Sequence, residues 1–448
     1  MKANISQADW IERAQKVLPA GGFGNFDPGV IVREGKGARV WDEDGNEYID
    51  YLIGSGPMLI GHGHEEVLDA VNEQLGKGMT FFANNARGVE LAEEICNAVA
   101  CAEQVRYVST GGEADMYAMR LGRAHTGRDK IMKFEGGYHG MSAEALMSLA
   151  PTRLENYPNA VPDSAGIPES VRNEMIICPF NDTETAISLM NEYADELACV
   201  IVEPLQRLIP PEPGFLEAIR KETERLGIVL IFDEVVTGFR LAYGGAQEKY
   251  GVVPDICTLG KIIGGGFPLA AVAGKTEIMQ HFDKAKVGEA GFTFQFGTLS
   301  GNPVASVAGL KTMEILRRPG TYEKLRKDGE FYMHCLRDQL GKADVPHQVV
   351  GDPTLFDVLF TPRKVKNYRD FFHSDLVLQK QFNVYLREKG LLKSDAKTYI
   401  CHALTQEDLD QTADAIAYAA QKFADSDVPD NMLSLLTALR GATVPVGR

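Results

Sequence analysis

Residues 227–235 read "GIVLIFDEV". The apolar run from Ile228 to Phe232 is unbroken and closes on two carboxylates, Asp233 and Glu234. A run of this length without polar alternation fits a strand buried on both faces of a sheet, as in parallel sheets covered by helices. Working outward, similar short runs occur at 104–109, 130–136, 174–180, 197–204, 255–260 and 269–275. Between many of them lie amphipathic stretches such as "TETAISLMNEYADEL" and "PGFLEAIRKETERLG". Strand-helix alternation of this kind predicts an α/β fold with a mostly parallel sheet flanked by helices. Nearer the N-terminus, "ARVWDEDGNEYIDYL" reads as a hairpin turning at Asp44-Gly45. From about residue 320 the chain changes to long charged helical patterns, "TYEKLRKDGEFYMHCLRDQL" and "HSDLVLQKQFNVYLREKG". These predict a separate C-terminal domain that the N-terminal hairpin joins, with the tail "GATVPVGR" frayed or held at an interface.

Composition bounds the function. The 448 residues are 44% hydrophobic and 24% charged, ordinary for a globular chain of more than one domain. A formal net charge of -16 opposes nucleic acid and anionic membrane surfaces alike. The 7 cysteines are scattered, with no CxxC and no zinc spacing, which favours a reducing compartment without structural zinc. The polar start and the absence of a long uncharged apolar run predict a cytoplasmic protein with no signal peptide and no membrane span.

In open α/β sheets ligands bind beyond the C-terminal ends of the strands, so the residues just past each strand matter most. After 104–109 come Thr110, Gly111 and Gly112, opening a helix whose exposed N–H groups and dipole suit a phosphate; a plain glycine turn at a helix start is the bland alternative. After 130–136 comes Gly137-Tyr138-His139-Gly140, where Tyr138 is either an ordinary loop residue or a ring lying flat on a ligand. Asp233 is either a cap or a carboxylate for a cationic ligand atom. Lys261, in "CTLGKIIGGGFPLA", sits among apolar residues and glycines, where desolvation lowers an amine's pKa and makes it nucleophilic toward an aldehyde. Jointly these four describe one ligand with a phosphate, a flat ring, a protonatable ring nitrogen and an aldehyde, which is pyridoxal 5'-phosphate.

The chain resembles the class III aminotransferases, fold type I pyridoxal-phosphate enzymes, over nearly its whole length. "RYVSTGGEA", "KFEGGYHG", "IVEP", "IFDEVVTGFR", "PDICTLGKIIGGGFPLAAVAG" and "FGTLSGNPVASVAGL" carry the resemblance. "DEVVTGFR", then "GGAQ", then "TLGKIIGGG" are most similar to the branch holding glutamate-1-semialdehyde aminomutase. The resemblance implies a large cofactor-binding domain over 56–320 and a smaller α+β domain built from 1–55 and 321–448. It implies that Lys261 forms a Schiff base and moves the substrate proton, while Asp233 pairs with the pyridine nitrogen. Thr110, Gly111 and Gly112 would hold the phosphate, with Tyr138 and Val235 on opposite ring faces. Glu203 would lie near the substrate side. A homodimer with interface active sites is implied, in which Thr298 reaches the neighbouring subunit's phosphate. Arg240 is expected to be structural, and His62 and His64 in "GHGH" are not expected to bind metal.

Departures from the family pattern bear on substrate. The phosphate loop lacks one hydroxyl, because Gly112 stands where Thr is usual. Arg207 replaces an early glycine after "IVEP"; it is expected at the surface or dimer interface, with a carboxylate clamp as the other possibility. Phe23, Asn25, Phe26 and Asp27 occupy the stretch where the aminomutase carries a substrate-gripping arginine, and Ser55 replaces its Trp. The expectation is an aminotransferase moving an amino group from an amine or amino acid with an apolar or aromatic portion to an oxo acid. The alternatives are the aminomutase, another aminomutase or racemase of this fold, and a non-catalytic binding protein. A dinucleotide-binding oxidoreductase is excluded for lack of GxGxxG after the first strand.

Overall fold

The computed structural model describes residues 5–425; the tail "GATVPVGR" lies outside them. Its centre is a 7-stranded sheet. In chain order the strands are β1 (Gln104–Val108), β2 (Lys130–Phe134), β3 (Met175–Cys178), β4 (Leu197–Val202), β5 (Val229–Asp233), β6 (Ile256–Leu259) and β7 (Ala270–Gly274). Across the sheet the order is β1-β7-β6-β5-β4-β2-β3. Only β7 runs against the rest, pairing antiparallel with both β1 and β6. All seven sequence expectations for strands are met within two residues at each end.

Every residue of β3, β4, β5, β6 and β7 is buried, which is why these strands read as continuous apolar runs. Helix α1 (Gly111–Thr126) crosses the sheet closely. A Cβ on Gly122 would stand 2.9 Å from Cys199 Cβ of β4, so a glycine is what permits the approach. The amphipathic stretches become α2 (Thr183–Glu192) and α3 (Phe215–Leu226), which pack on each other.

The expected hairpin forms from Arg39–Asp42 and Glu47–Asp50, with Arg39 opposite Ile49 and Gly45 in the left-handed region at φ 88°. Its second strand pairs in parallel with Leu391–Leu392, so the two ends of the chain share one small sheet. The helix Thr321–Lys342 and the helix Leu376–Glu388 form from the charged helical patterns.

The central sheet also encloses a cation. Lys133 in β2 is completely buried, and its Nζ donates to Ala145 O at 2.7 Å. Burial, with the Arg207 charge adding to it, pushes the ammonium down to about 7 from 10.5. The unfolded chain therefore binds more protons than the folded one between those values, and stability rises with pH across that window. Lys133→Met is expected to abolish this rise. Between pH 7 and pH 10 the wild type should gain on the variant by up to about 1.4 kcal/mol per unit in denaturant unfolding; equal pH slopes for the two proteins would contradict the burial of this charge.

Candidate active site

The ends of β1, β2, β5 and β6 converge on a cleft of about 550 Å³. It is lined by Thr110, Gly111 and Gly112 from the start of α1, by Tyr138 after β2, by Val235 after β5 and by Lys261 after β6. Four segments distant in sequence thus deliver the residues that the strand-end rule singles out.

At the α1 end, Thr110 is the N-cap, and its hydroxyl accepts from the Glu113 N–H at 3.2 Å. Glu113 Oε2 reaches back to accept the Ser109 N–H at 2.9 Å. The first-turn N–H groups of Gly111 and Gly112 have no carbonyl four residues behind them within the helix and are free to serve an anion. Gly111 is also required sterically: a Cβ there would lie 2.6 Å from Val235 Cγ1.

Lys261 directly succeeds Gly260 and has φ 51°, in the left-handed region that a long side chain ordinarily avoids. Such strain, on the order of 1–3 kcal/mol, persists only where the surroundings impose it, and it gathers at functional sites. The glycines behind it let the turn pack: Gly265 has φ 56° and abuts Ala308 of the helix Pro303–Leu316. Burial pulls the Lys261 ammonium below its ordinary value; Tyr399 and Asp233 oppose this, and Lys397 and Arg240 reinforce it.

Beneath the cleft, Asp233 is 5% exposed. Its Oδ1 accepts the Val235 N–H at 3.0 Å, and its Oδ2 is 2.8 Å from His139 Nδ1. Thr258, opposite Asp233 in the β5–β6 pairing, places its hydroxyl 3.4 Å from Oδ1. Asp115 joins them from α1: one donor atom each from Asp115, His139 and Asp233 all lie within 4.8 Å of one another. Glu203, buried after β4, does not line the cleft and instead accepts the Tyr138 N–H at 2.8 Å, fixing the loop that carries the ring.

On the other side of Lys261 stands Tyr399. Burial raises its phenol, but Lys397, Lys261, a hydrogen bond with Ser55 and Arg240 outweigh that and hold it below the usual range. Arg240 is wholly buried, its guanidinium 5.0 Å from the Tyr399 ring and donating to Gly56 O. Ser55 is thus placed beside the site.

The remaining expected residues lie outside the cleft lining. Arg207 is half-buried, donates to Gly136 O at 2.9 Å and to Leu149 O at 3.3 Å, and lies 5.6 Å from the Tyr138 ring. Phe26 stacks near Arg387 at 5.9 Å, and Asp27 is paired with the same arginine at 2.7 Å. The Asp27 charge is thus already matched within the chain. Thr298 is exposed on its own chain. His62 pairs with Asp50 at 2.7 Å.

Three further residues at the site, His139, Asp115 and Tyr399, carry no role in the sequence reading. His139 adjoins Tyr138 in the quoted glycine loop, and Asp115 lies four residues after Gly111, one helical turn on the same face. Tyr399 has no local signal, since only the return of the C-terminal segment brings it here.

A family model described as "Aminotransferase class-III" matches residues 24–419. The chain is 43% identical over 401 residues to the glutamate-1-semialdehyde 2,1-aminomutase 2 of Brevibacillus brevis, covering 88% of this chain and 91% of that protein. Among solved structures it is similar to an omega-transaminase from Sphaerobacter thermophilus, at 34% identity and TM-score 0.88, covering 94% and 98% of the two chains. It is also similar to a transaminase with PLP bound, at 31% identity and TM-score 0.86, covering 93% and 97%. The chain belongs to the class-III aminotransferase family, its fold is that of the fold type I pyridoxal-phosphate transferases, and its cofactor is pyridoxal 5'-phosphate. The residues in the cleft fit that group: free helix N-terminal N–H groups for a phosphate, a helix start packed so closely on Val235 that a Cβ on Gly111 would clash, and a buried carboxylate below.

Gly111→Ala should therefore weaken cofactor retention. Forcing a methyl against Val235 costs about 1–3 kcal/mol, roughly fivefold to more than a hundredfold in the dissociation constant. Adding Val235→Ala should recover part of that loss when both variants are titrated with cofactor and followed by fluorescence. An unchanged affinity in the single variant would contradict this packing.

Proposed function

We propose that the chain moves amino groups with Lys261 as the lysine that holds the cofactor and carries the substrate proton, and with Asp233 as the partner of the ring nitrogen. The observation that carries this reading is Lys261 itself, half-buried in the cleft wall, strained at φ 51° and less basic than an ordinary lysine, on the cleft that Asp233 underlies. Bound pyridoxal phosphate supplies an aldehyde for the amino group and a ring that takes up electrons released at the substrate carbon. A lowered ammonium pKa leaves more of Lys261 Nζ as free amine, able to take a proton from the substrate carbon and return it to a neighbouring one. Asp233, buried and met by donors from Val235 and His139, keeps its carboxylate in place for a cationic nitrogen. Tyr138 and Val235 would bound the two ring faces, with Glu203 holding the Tyr138 loop by its N–H. Tyr399, depressed below an ordinary phenol, and Ser55 face the substrate end.

The similarity at 43% to a glutamate-1-semialdehyde 2,1-aminomutase favours exchange of the amino group within one substrate over transfer between two. This reverses the expectation of an intermolecular aminotransferase, which rested on the lack of a substrate-gripping arginine in the stretch Phe23–Asp27 and on Ser55 in place of the branch's Trp. The second reading, a transaminase using separate donor and acceptor, is favoured by the similarity to an omega-transaminase and by Ser55 in place of the branch's Trp. We further read the protein as a homodimer in which Thr298 serves the neighbouring site. Exposed Phe82 and Phe296, each 70% accessible and 6.5 Å apart, form with Phe294 an apolar face close to Thr298 in sequence, of the sort that subunits cover. No helix among the described residues is long and apolar enough to cross a membrane.

Incubation with glutamate-1-semialdehyde alone is expected to yield 5-aminolevulinate without any added oxo acid. Turnover only when an amine donor is combined with pyruvate or 2-oxoglutarate, and none with the semialdehyde, would overturn the aminomutase reading in favour of the second.

A further inference from the structure

One buried acid near the site has no task in the reaction as described. Asp115 lies in the second turn of α1 and is 2% exposed. Its Oδ1 accepts the Thr258 hydroxyl at 2.6 Å, and that hydroxyl is itself 3.4 Å from Asp233 Oδ1. A hydroxyl has one proton to give, and here it goes to Asp115 as the much shorter contact. The Asp115 and Asp233 carboxyls each bring an oxygen within 4.8 Å of the other, with the Thr258 hydroxyl between them. Two ionised carboxylates in such a place, both shut off from water, repel each other, and neither could donate to the other.

The charged and titratable groups around Asp115 come from every strand end nearby. Asp233 faces it from β5 and Glu203 from beyond β4. Lys133 of β2 and Tyr138 of the loop after it feel its charge, and His139 completes the trio. Lys133 spends a proton on Ala145 O and makes no ion pair with Asp115. Burial first, and the Asp233 charge second, push the Asp115 carboxyl well above the usual carboxylate range.

We propose that Asp115 is a positioning residue that keeps its proton and donates it in a hydrogen bond to Asp233, so that Asp233 remains the ionised member of the pair and is aimed at the cofactor ring. Three side chains then converge on one carboxylate: His139 on Oδ2, Thr258 near Oδ1, and the Asp115 acid from α1. Because α1 also begins at Gly111 and Gly112, the same helix that offers N–H groups to the phosphate orients the acid that steadies the opposite end of the ring. Both ends of the cofactor would be registered by a single rigid element. This inference rests on the pairing of Asp233 with the ring nitrogen.

The test is made on the cofactor-loaded protein by infrared difference spectroscopy, with pH titration of the cofactor's visible absorption as a second readout. Wild type should show the carbonyl stretch of a buried protonated carboxylic acid at neutral pH, and Asp115→Asn should lose it. Asp115→Asn, whose amide also donates, should leave the midpoint of the visible titration in place, whereas Asp115→Val should shift it and weaken cofactor retention about tenfold or more. Absence of the acid band in wild type, or a shift of a full pH unit in Asp115→Asn, would mean that Asp115 is ionised and would overturn the proposal. Should Asp115→Asn fail to fold, the wild-type band and Asp115→Val decide alone. Asp233→Asn separates the two ideas: if it leaves the visible spectrum unchanged, the ring-nitrogen pairing fails, while the infrared band still reports whether Asp115 holds a proton.

Discussion

The pairing of Asp233 with Thr258 across β5 and β6 is the constraint on which the site depends. It fixes the last residue of one buried strand beside its neighbour, three residues before Lys261. The acid and the amine are thereby set at one end of the sheet with no freedom to drift, since a strand register cannot slip by one residue without turning every side chain to the other face. Both strands are buried on both faces, so the register is held by packing on either side.

The electrostatics of the site derive from that edge. A sheet covered by helices presents a dry interior, and its strand ends are where buried polar groups can meet a ligand. Lys261 loses basicity there, Asp115 resists ionising, and Tyr399 becomes more acidic because the cations Lys397, Lys261 and Arg240 surround it. These opposed shifts in one small volume come from neighbours on α1, β5, β6 and the returning C-terminal segment. Perturbations of this kind are costly to folding and are kept where chemistry uses them.

The strands are legible in the sequence because burial on both faces writes a continuous apolar run, as in "GIVLIFDEV" and "LACVIVEP". The four cleft segments are legible because each comes directly after such a run. Features that depend on tertiary approach are not legible in this way. The two-residue strands Leu391–Leu392 and Thr398–Tyr399 exist only through pairing with segments far away in the chain, and the placement of Tyr399 depends on them. Asp115 reads locally as an ordinary helix residue; its burial against Thr258 is a property of how α1 lies on the sheet. Arg207, judged from an unexpected residue type alone, reads as a surface or dimer-interface residue, and its bonds to two backbone carbonyls beside Tyr138 are not legible in the sequence. Nothing in the stretch from Phe23 to Asp27 announces the partner of Asp27, because Arg387 lies 360 residues away.

The most direct measurement is to reduce the cofactor-loaded protein with borohydride, digest it and locate the pyridoxyl group by mass spectrometry. The account predicts a single modified residue, Lys261, and none when Lys261 is replaced by alanine. Recovery of the group on another lysine, or a protein that gains no chromophore and no label when pyridoxal phosphate is supplied, would contradict it.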